Sequence, residues 1–413
     1  MLTKLAVLGV RALTLGLSGA GQRDTFVLMS PSVEGSRGDA AMMEVLLEDL
    51  HERYRGRLVI LCYRRNERYA DFVRAFGPEV SCLETLLFHP VRFRQLIRRT
   101  HTFRFIGADI ADGFYNPLTT LLRLSVAQAF ACAESDARIV SFSFSSASTA
   151  SVSQMWKQMP LSLGLTVRDP QSKRRLAALL GRDVAQTADL AFLLQGKERG
   201  IDEPLAWVAA ERARGHILVG IGVNVLLLDA AGRRALAAVV ERLARRDQRL
   251  SFLLVAHDVR TRSNDLLAAE DVARHIAPEL SPRVRIVRQP YGPRQLKALA
   301  GRLDAVVSGR MHFAIAALSQ GVPAFCFRYN GKVEGLLELV GLGDDIDGVS
   351  VESGAVAESP ERVADSIGRF LERREELAVR VASRLDGVKT LSAMTLSYPR
   401  LEAVEPAASA HSR

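Results

Sequence analysis

Residues 305–335 read AVVSGRMHFAIAALSQGVPAFCFRYNGKVEG, and their order predicts a strand, a helix, a second strand and a second helix. Ala305 to Ser308 is a short apolar run bounded by Gly309, as a buried strand would be. Met311 to Ser319 has the length of a short helix, Gly321-Val322-Pro323 shapes a turn, Pro323 to Tyr329 is strand-like and Val333 to Val340 is helical. Strands that alternate with helices build parallel sheets covered by those helices.

The same alternation extends upstream. His216 to Val225 (HILVGIGVNV) reads as a buried strand, Gly232 to Arg246 as a helix, Phe252 to His257 as a strand and Leu266 to His275 as a helix. Val284 to Val287 adds a strand and Pro293 to Arg302 a helix, so five strands in alternation predict a Rossmann-like domain. The first half repeats the theme less clearly. Phe26 to Met29 and Leu58 to Cys62 read as strands around a helix at Asp39 to Leu50. Phe103 to Ile106, Ile139 to Phe144, Leu163 to Val167 and Leu190 to Phe192 are further strand candidates.

The charged stretch QGKERGIDEP, Gln195 to Pro204, reads as a linker. The expected architecture is α/β, with two Rossmann-like domains at residues 25–198 and 199–390 and a cleft between them. Val363, Ile367, Phe370, Leu371, Ala378, Val381 and Leu385 follow helical spacing and predict one long closing helix. Residues 1–24 read as a lead-in helix and 391–413 as a tail, disordered after Glu402.

Composition narrows the function classes. A chain of 413 residues, 48% apolar and 24% charged, can bury two cores and is neither disordered, collagen-like nor disulfide-stapled. Cys62, Cys82, Cys132 and Cys326 stand far apart with no C-x-x-C pair, which signals neither a zinc site nor a redox motif, and reduced thiols fit the cytoplasm. The net charge of +9 comes almost wholly from arginine, with seven lysines in the chain, and no basic stretch is interleaved with aromatics. No nucleic-acid partner is expected. No stretch reaches the roughly 20 apolar residues of a membrane span. Lys4 and the run Leu5 to Leu17 mimic a signal peptide, but Arg11 interrupts it. The expectation is a cytoplasmic protein, with peripheral contact at the inner membrane face left open.

In open α/β sheets ligands bind beyond the carboxyl ends of the strands, where helix N-termini present N–H groups to anions. Arg310 just past a strand, His312 in the first helical turn and Lys332 at the next helix start satisfy this rule together. The helix dipole disfavours an imidazolium at such a position, so a neutral His312 is expected, with capping or packing as its bland alternative. MSPSVEGSRGDAAM, Met29 to Met42, places Gly38 and Asp39 at the first strand–helix turn; Asp39 is either an N-cap or N1 residue or a ligand contact. Arg168 is either an anion clamp or the partner of Asp169. Asn224 either meets a ligand or bonds neighbouring backbone, and His257 either faces the cleft or makes a hinge hydrogen bond. No G-x-x-x-x-G-K-[ST] phosphate loop is present. The other histidines carry no such placement.

The run SGRMHFAIAALSQGVP followed by YNGKVEG resembles the signature of the polysaccharide pyruvyl transferase family, and GSRGDAAM, LTVRDPQS and VAHD resemble its other marks in order. The resemblance spans about Thr25 to Leu342. Gly107-Ala108-Asp109 stands where members often carry a glycine-rich turn, and Met311 where leucine is common. What the resemblance implies is a GT-B-like pair of Rossmann-like domains that transfers the enolpyruvyl unit of phosphoenolpyruvate onto sugar hydroxyls, giving a pyruvate ketal in cell-surface polysaccharide or glycolipid assembly. The acceptor would be a saccharide, lipid-linked or nucleotide-linked. It further implies His312 and Arg310 as catalytic residues, with Lys332, Arg168, Asp39, Gly38, His257 and Asn224 binding substrate. Neither metal nor cofactor is required by that chemistry. Two alternatives share the fold: a GT-B-type glycosyltransferase using a nucleotide sugar, and a non-catalytic binding subunit.

Overall fold

The computed structural model describes residues 23–397, except 32–34, 64–68, 84–85, 87–88 and 261–262. The expected lead-in helix and the tail beyond residue 397 lie outside these residues.

Seven parallel strands form the first sheet: β1 (Thr25–Met29), β2 (Arg57–Cys62), β3 (Glu79–Cys82), β4 (Thr100–Ala108), β5 (Asp136–Phe142), β6 (Gly164–Val167) and β7 (Ala185–Gln186). Their spatial order is β3-β2-β1-β4-β5-β6-β7. Alternation along β1 separates two cores. Phe26 and Leu28 face the helix Arg37–Arg53, through Met42, Leu46 and Leu50, whereas Val27 and Met29 join Phe103, Phe105 and Phe130 on the opposite face.

The second half carries β8 (Ile217–Gly222), β9 (Leu250–Val255), a small hairpin of β10 (Val259–Arg260) and β11 (Ser263–Asn264), then β12 (Val284–Ile286), β13 (Ala305–Ser308), β14 (Ala324–Arg328) and β15 (Ser350–Glu352). Its six-stranded sheet runs β12-β9-β8-β13-β14-β15. Both sheets therefore reverse their order at one place, between β1 and β4 and between β8 and β13. At such a point two neighbouring crossover helices lie on opposite faces and leave a crevice.

The predicted strands and helices of the second half are present, most within two residues of their expected ends. Two other expectations are corrected. Leu190–Phe192 is a 3₁₀ turn capped by Asp189, whose side chain accepts from Ala191 N at 2.9 Å, because three apolar residues are too few to show a period. The closing helix is two helices, Pro360–Glu372 and Arg374–Ala393, broken at Arg373. Asp345 at 2.8 Å and Glu376 at 3.0 Å hold the Arg373 guanidinium there. Strands β3, β7, β10, β11 and β15 add to the elements expected from the sequence.

Backbone bonds join the halves directly. Ser36 and Asp258 form an antiparallel bridge, Arg37 N donates to His257 O at 3.2 Å and Val259 N to Gly35 O at 3.0 Å. The stretch read as a linker lies against the helix Pro293–Ala300, with Lys197 N donating to Arg294 O at 3.1 Å. The last long helix crosses back, and Ser392 Oγ donates to the Asp189 carbonyl at 2.6 Å.

Candidate active site

The two crevices meet. The helix Met311–Leu318 follows β13, and its second residue, His312, points across to the first half. There its Nε2 lies 3.5 Å from Asp189 Oδ2 and 3.5 Å from Arg168 Nη1. On the other side of the ring stands Gly38, in the first turn of the helix that follows β1; a Cβ on Gly38 would overlap the imidazole. Glycine at this turn is therefore required by close approach.

Arg168, at the end of β6, organises the first-half side of this contact. It is buried and donates from Nε to Ser143 Oγ at 2.7 Å, from Nη1 to Asp189 Oδ2 at 2.6 Å and from Nη2 to Asp109. The pairing considered with Asp169 is replaced by these two carboxylates. Asp169 instead caps the helix Pro170–Leu180, accepting from Ser172 N at 2.7 Å and Ser172 Oγ at 2.6 Å. Asp109 follows Ala108, which holds a left-handed φ of 44° where a glycine would be unstrained.

These charges set the protonation of His312. Burial opposes its positive form, but the hydrogen bond and charge of Asp189, with Asp109 behind it, raise its pKa above the usual imidazole value. The shift runs opposite to the one a helix dipole alone would give, because carboxylate charges are superposed on the field of the helix end. Burial likewise opposes ionisation of Asp189, yet Arg168 and His312 hold it at about 2. Asp109 stays well below the carboxylate range despite burial, because Lys332, Arg168 and His312 surround it.

Asp39 is the exception. Burial raises its pKa to about 6, against the attraction of His312 and Arg260. It is neither N-cap nor N1: Ser36 caps the helix, accepting from Asp39 N at 3.4 Å, and Asp39 is the third helical residue. A half-buried carboxyl that titrates near neutrality thus sits within electrostatic reach of an imidazole biased toward protonation. Such a pair can give and accept protons.

Lys332 reaches from the second half into the first, with Nζ 3.1 Å from the Asp109 carbonyl and 3.4 Å from Asp112 Oδ2. Its ammonium also lies 5.8 Å and 5.2 Å from the Phe114 and Tyr115 ring centres. Arg310 is bidentate on buried Asp265, from Nε at 2.9 Å and Nη2 at 2.7 Å, and Nη2 meets Ser263 Oγ at 2.7 Å. His257 is buried against Phe313, with ring centres 5.9 Å apart; burial, then His312 and Arg310, depress its pKa well below normal. Its carbonyl makes the hinge bond to Arg37. Asn224 binds backbone, donating to Gly309 O at 2.7 Å and accepting from Leu226 N at 3.0 Å, which fixes the turn that launches Arg310.

Sequence reasoning thus brings His312, Gly38, Asp39 and Arg168 to one place, with Lys332 joined through Asp109, but it misses Asp189. The strand-end rule would find Asp189 if the two-residue β7 left a recognisable pattern. Asp109 shows in the sequence only as part of a departure from a glycine-rich turn.

Two Rossmann-like halves with facing crevices define a GT-B-type fold. Solved structures with that likeness include a UDP-N-acetylglucosamine 2-epimerase from Neisseria meningitidis, with 12% identity and a TM-score of 0.54 over 90% of this chain and 97% of that one. A putative enzyme of the same name from Listeria monocytogenes gives 13% and 0.59 over 92% and 99%. A glycosyltransferase from Rickettsia africae gives 13% and 0.52 over 92% and 100%. At these identities the likeness concerns the fold. No curated protein matches the sequence.

Residues 37–331 match the polysaccharide pyruvyl transferase family, and the chain belongs to it. It is a transferase of polysaccharide modification. Among the described residues no helix is long and apolar enough to cross a membrane.

Proposed function

We propose that the protein transfers the enolpyruvyl group of phosphoenolpyruvate to two hydroxyls of one sugar, releasing inorganic phosphate and leaving a pyruvate ketal. A proton adds to the methylene carbon, and the first hydroxyl oxygen bonds to the cationic carbon this creates. The carbon–oxygen bond to phosphate then breaks as the second hydroxyl adds. One hydroxyl proton is balanced by the new methyl group and the other leaves with phosphate.

The observation that carries the reading is His312 held toward its protonated form by Asp189 beside Asp39, whose pKa is about 6. His312 is the acid that protonates the methylene carbon, and Asp39 the base that takes the acceptor proton. Gly38 lets the helix N-terminus approach the reacting groups. The donor's phosphate and carboxylate are met by the cation Arg310, the most exposed of Arg310, Arg168 and Lys332, with Asn224 and His257 holding the neighbouring turns. Arg168 and Lys332 act from within their ion pairs, fixing the carboxylates around His312. The acceptor is a saccharide; a lipid-linked one would be met by peripheral docking of the protein at the inner membrane face.

His312→Ala should lower phosphate release from phosphoenolpyruvate at least about 100-fold, the usual scale of a general acid. Arg310→Lys should also lower turnover while keeping a charge beside Asp265. Phosphoenolpyruvate should raise the Tm of the wild type. Protection by a nucleotide sugar in its place would favour a GT-B glycosyltransferase, and protection by neither a non-catalytic subunit.

A further inference from the structure

Two large aromatic side chains stand exposed beside this site. Phe114 and Tyr115 keep 43% and 47% of their surface open, with ring centres 5.0 Å apart and planes at 84°. Single exposed rings are ordinary, but these two are carried on a loop tied down by several hydrogen bonds. Asp112, fully buried at its base, accepts from Phe114 N at 3.0 Å and Ser145 N at 3.2 Å and faces the Lys332 ammonium. Trp156 Nε1 grips the Ala111 carbonyl at 2.9 Å, and Asn116 caps the following helix. Tyr329 of the second half lies within electrostatic reach of Tyr115.

Through Asp112 the loop is tied to the serine-rich stretch 145–153, SSASTASVS. Ser146 and Ala147 are exposed there, and Ser148 and Thr149 partly so. Ring faces beside a row of hydroxyls suit one class of ligand: a pyranose, with an apolar C–H face and a hydroxylated edge. Ser148 and Thr149 bond Ser153 and Ser151 at 3.1 and 3.3 Å, and each hydroxyl oxygen keeps a further lone pair for a sugar hydroxyl, which a lipid chain would not use.

We infer that Phe114, Tyr115 and the serine-rich stretch form the subsite for the acceptor saccharide, with a pyranose stacked on the rings and its hydroxyls turned toward His312 and Asp39. The inference rests on the pyruvyl-transfer reading for its geometry, but saccharide binding can be measured without turnover. The probes are lactose, cellobiose and chitobiose, observed by saturation-transfer NMR on the full chain. Wild type should transfer saturation to ring C–H protons of at least one. Phe114→Ala and Tyr115→Ala should weaken that binding on the order of tenfold, as loss of a stacking ring does. Phe114→Leu, which keeps apolar bulk against Lys332, should weaken it similarly. Thermal protection by phosphoenolpyruvate should persist in all three variants. Wild-type silence toward all three sugars, or unaltered sugar binding in the variants, would overturn the subsite. Failure of phosphoenolpyruvate to protect the wild type would instead count against the donor assignment and leave the sugar measurement standing.

Discussion

His312 Nε2 lies 3.5 Å from Asp189 Oδ2, and the two side chains come from different halves of the molecule. Asp189 is itself fixed from three directions: Arg168 on its carboxylate, Ala191 N within its own turn and Ser392 on its carbonyl. An imidazole so placed is held ready as an acid by its neighbour's charge. As pH rises through its raised pKa the proton is lost and turnover should fall.

Asp189→Asn tests that relationship. Removing the charge should return the His312 pKa toward its ordinary value, so the alkaline limb of the kcat–pH profile should move to lower pH. Movement of the limb by about one pH unit would correspond to about 1.4 kcal/mol of lost ion pairing. An unmoved limb would show that Asp189 does not control the acid.

Gly38→Ala separates packing from propensity. In a helix interior alanine is favoured over glycine by about 1 kcal/mol. Here the added methyl would meet the His312 ring. The variant should therefore unfold at lower temperature than wild type and lose most of its phosphate-releasing activity. A rise in Tm with activity retained would contradict the close approach.

Asp39→Asn concerns stability and pH. A carboxyl whose folded pKa of about 6 exceeds its ordinary 3.8 costs nothing below the ordinary value. Its cost grows as pH rises from 3.8 and levels off above about 6, where both folded and unfolded states are ionised. Allowing for its partial exposure, removal of the charge should stabilise the fold by about 2 kcal/mol above pH 6, and by nothing below pH 3.8. Denaturant titrations at both extremes measure the difference.

Lys297 is predicted to act as a positioning residue for Asp189. It is buried, and its Nζ donates to the carbonyls of Ala191 and Phe192 at 2.9 and 3.2 Å, at the end of the turn that Asp189 begins. Burial, with Lys389 nearby, lowers its pKa to about 7. Lys297→Met should remove the ammonium from both carbonyls, leaving Ala191 O with its backbone donor from Leu194 N at 3.4 Å, lower kcat more than it raises KM, and move the alkaline limb as Asp189→Asn does. Lys297→Arg should restore part of both; an unchanged pH profile would reduce Lys297 to a core support.

The second sheet was legible because its strands are uninterrupted apolar runs punctuated by glycine and proline, as at Ala305–Ser308 and Ala324–Arg328. The strand-end rule then placed Arg310, His312 and Lys332 without knowledge of their partners. Short elements were harder. β7 has two residues, and the Leu190–Phe192 turn has no period to distinguish it from a strand. Asp189 lies between them, so the residue that governs His312 was hidden by the brevity of its surroundings. The His312 protonation state was beyond local reasoning altogether, since the charges that decide it come from Asp109 and Asp189 of the other half.

With His312 as the proposed acid, its separation from Asp189 in the chain's two halves would make reactivity depend on closure. Were the halves drawn apart to exchange reactants, the imidazole would lose the field that keeps it charged and would surrender its proton to bulk water. A phosphoenolpyruvate molecule held in such an opened state would be chemically idle. Wasteful hydrolysis of an energy-rich donor would be suppressed by shape alone.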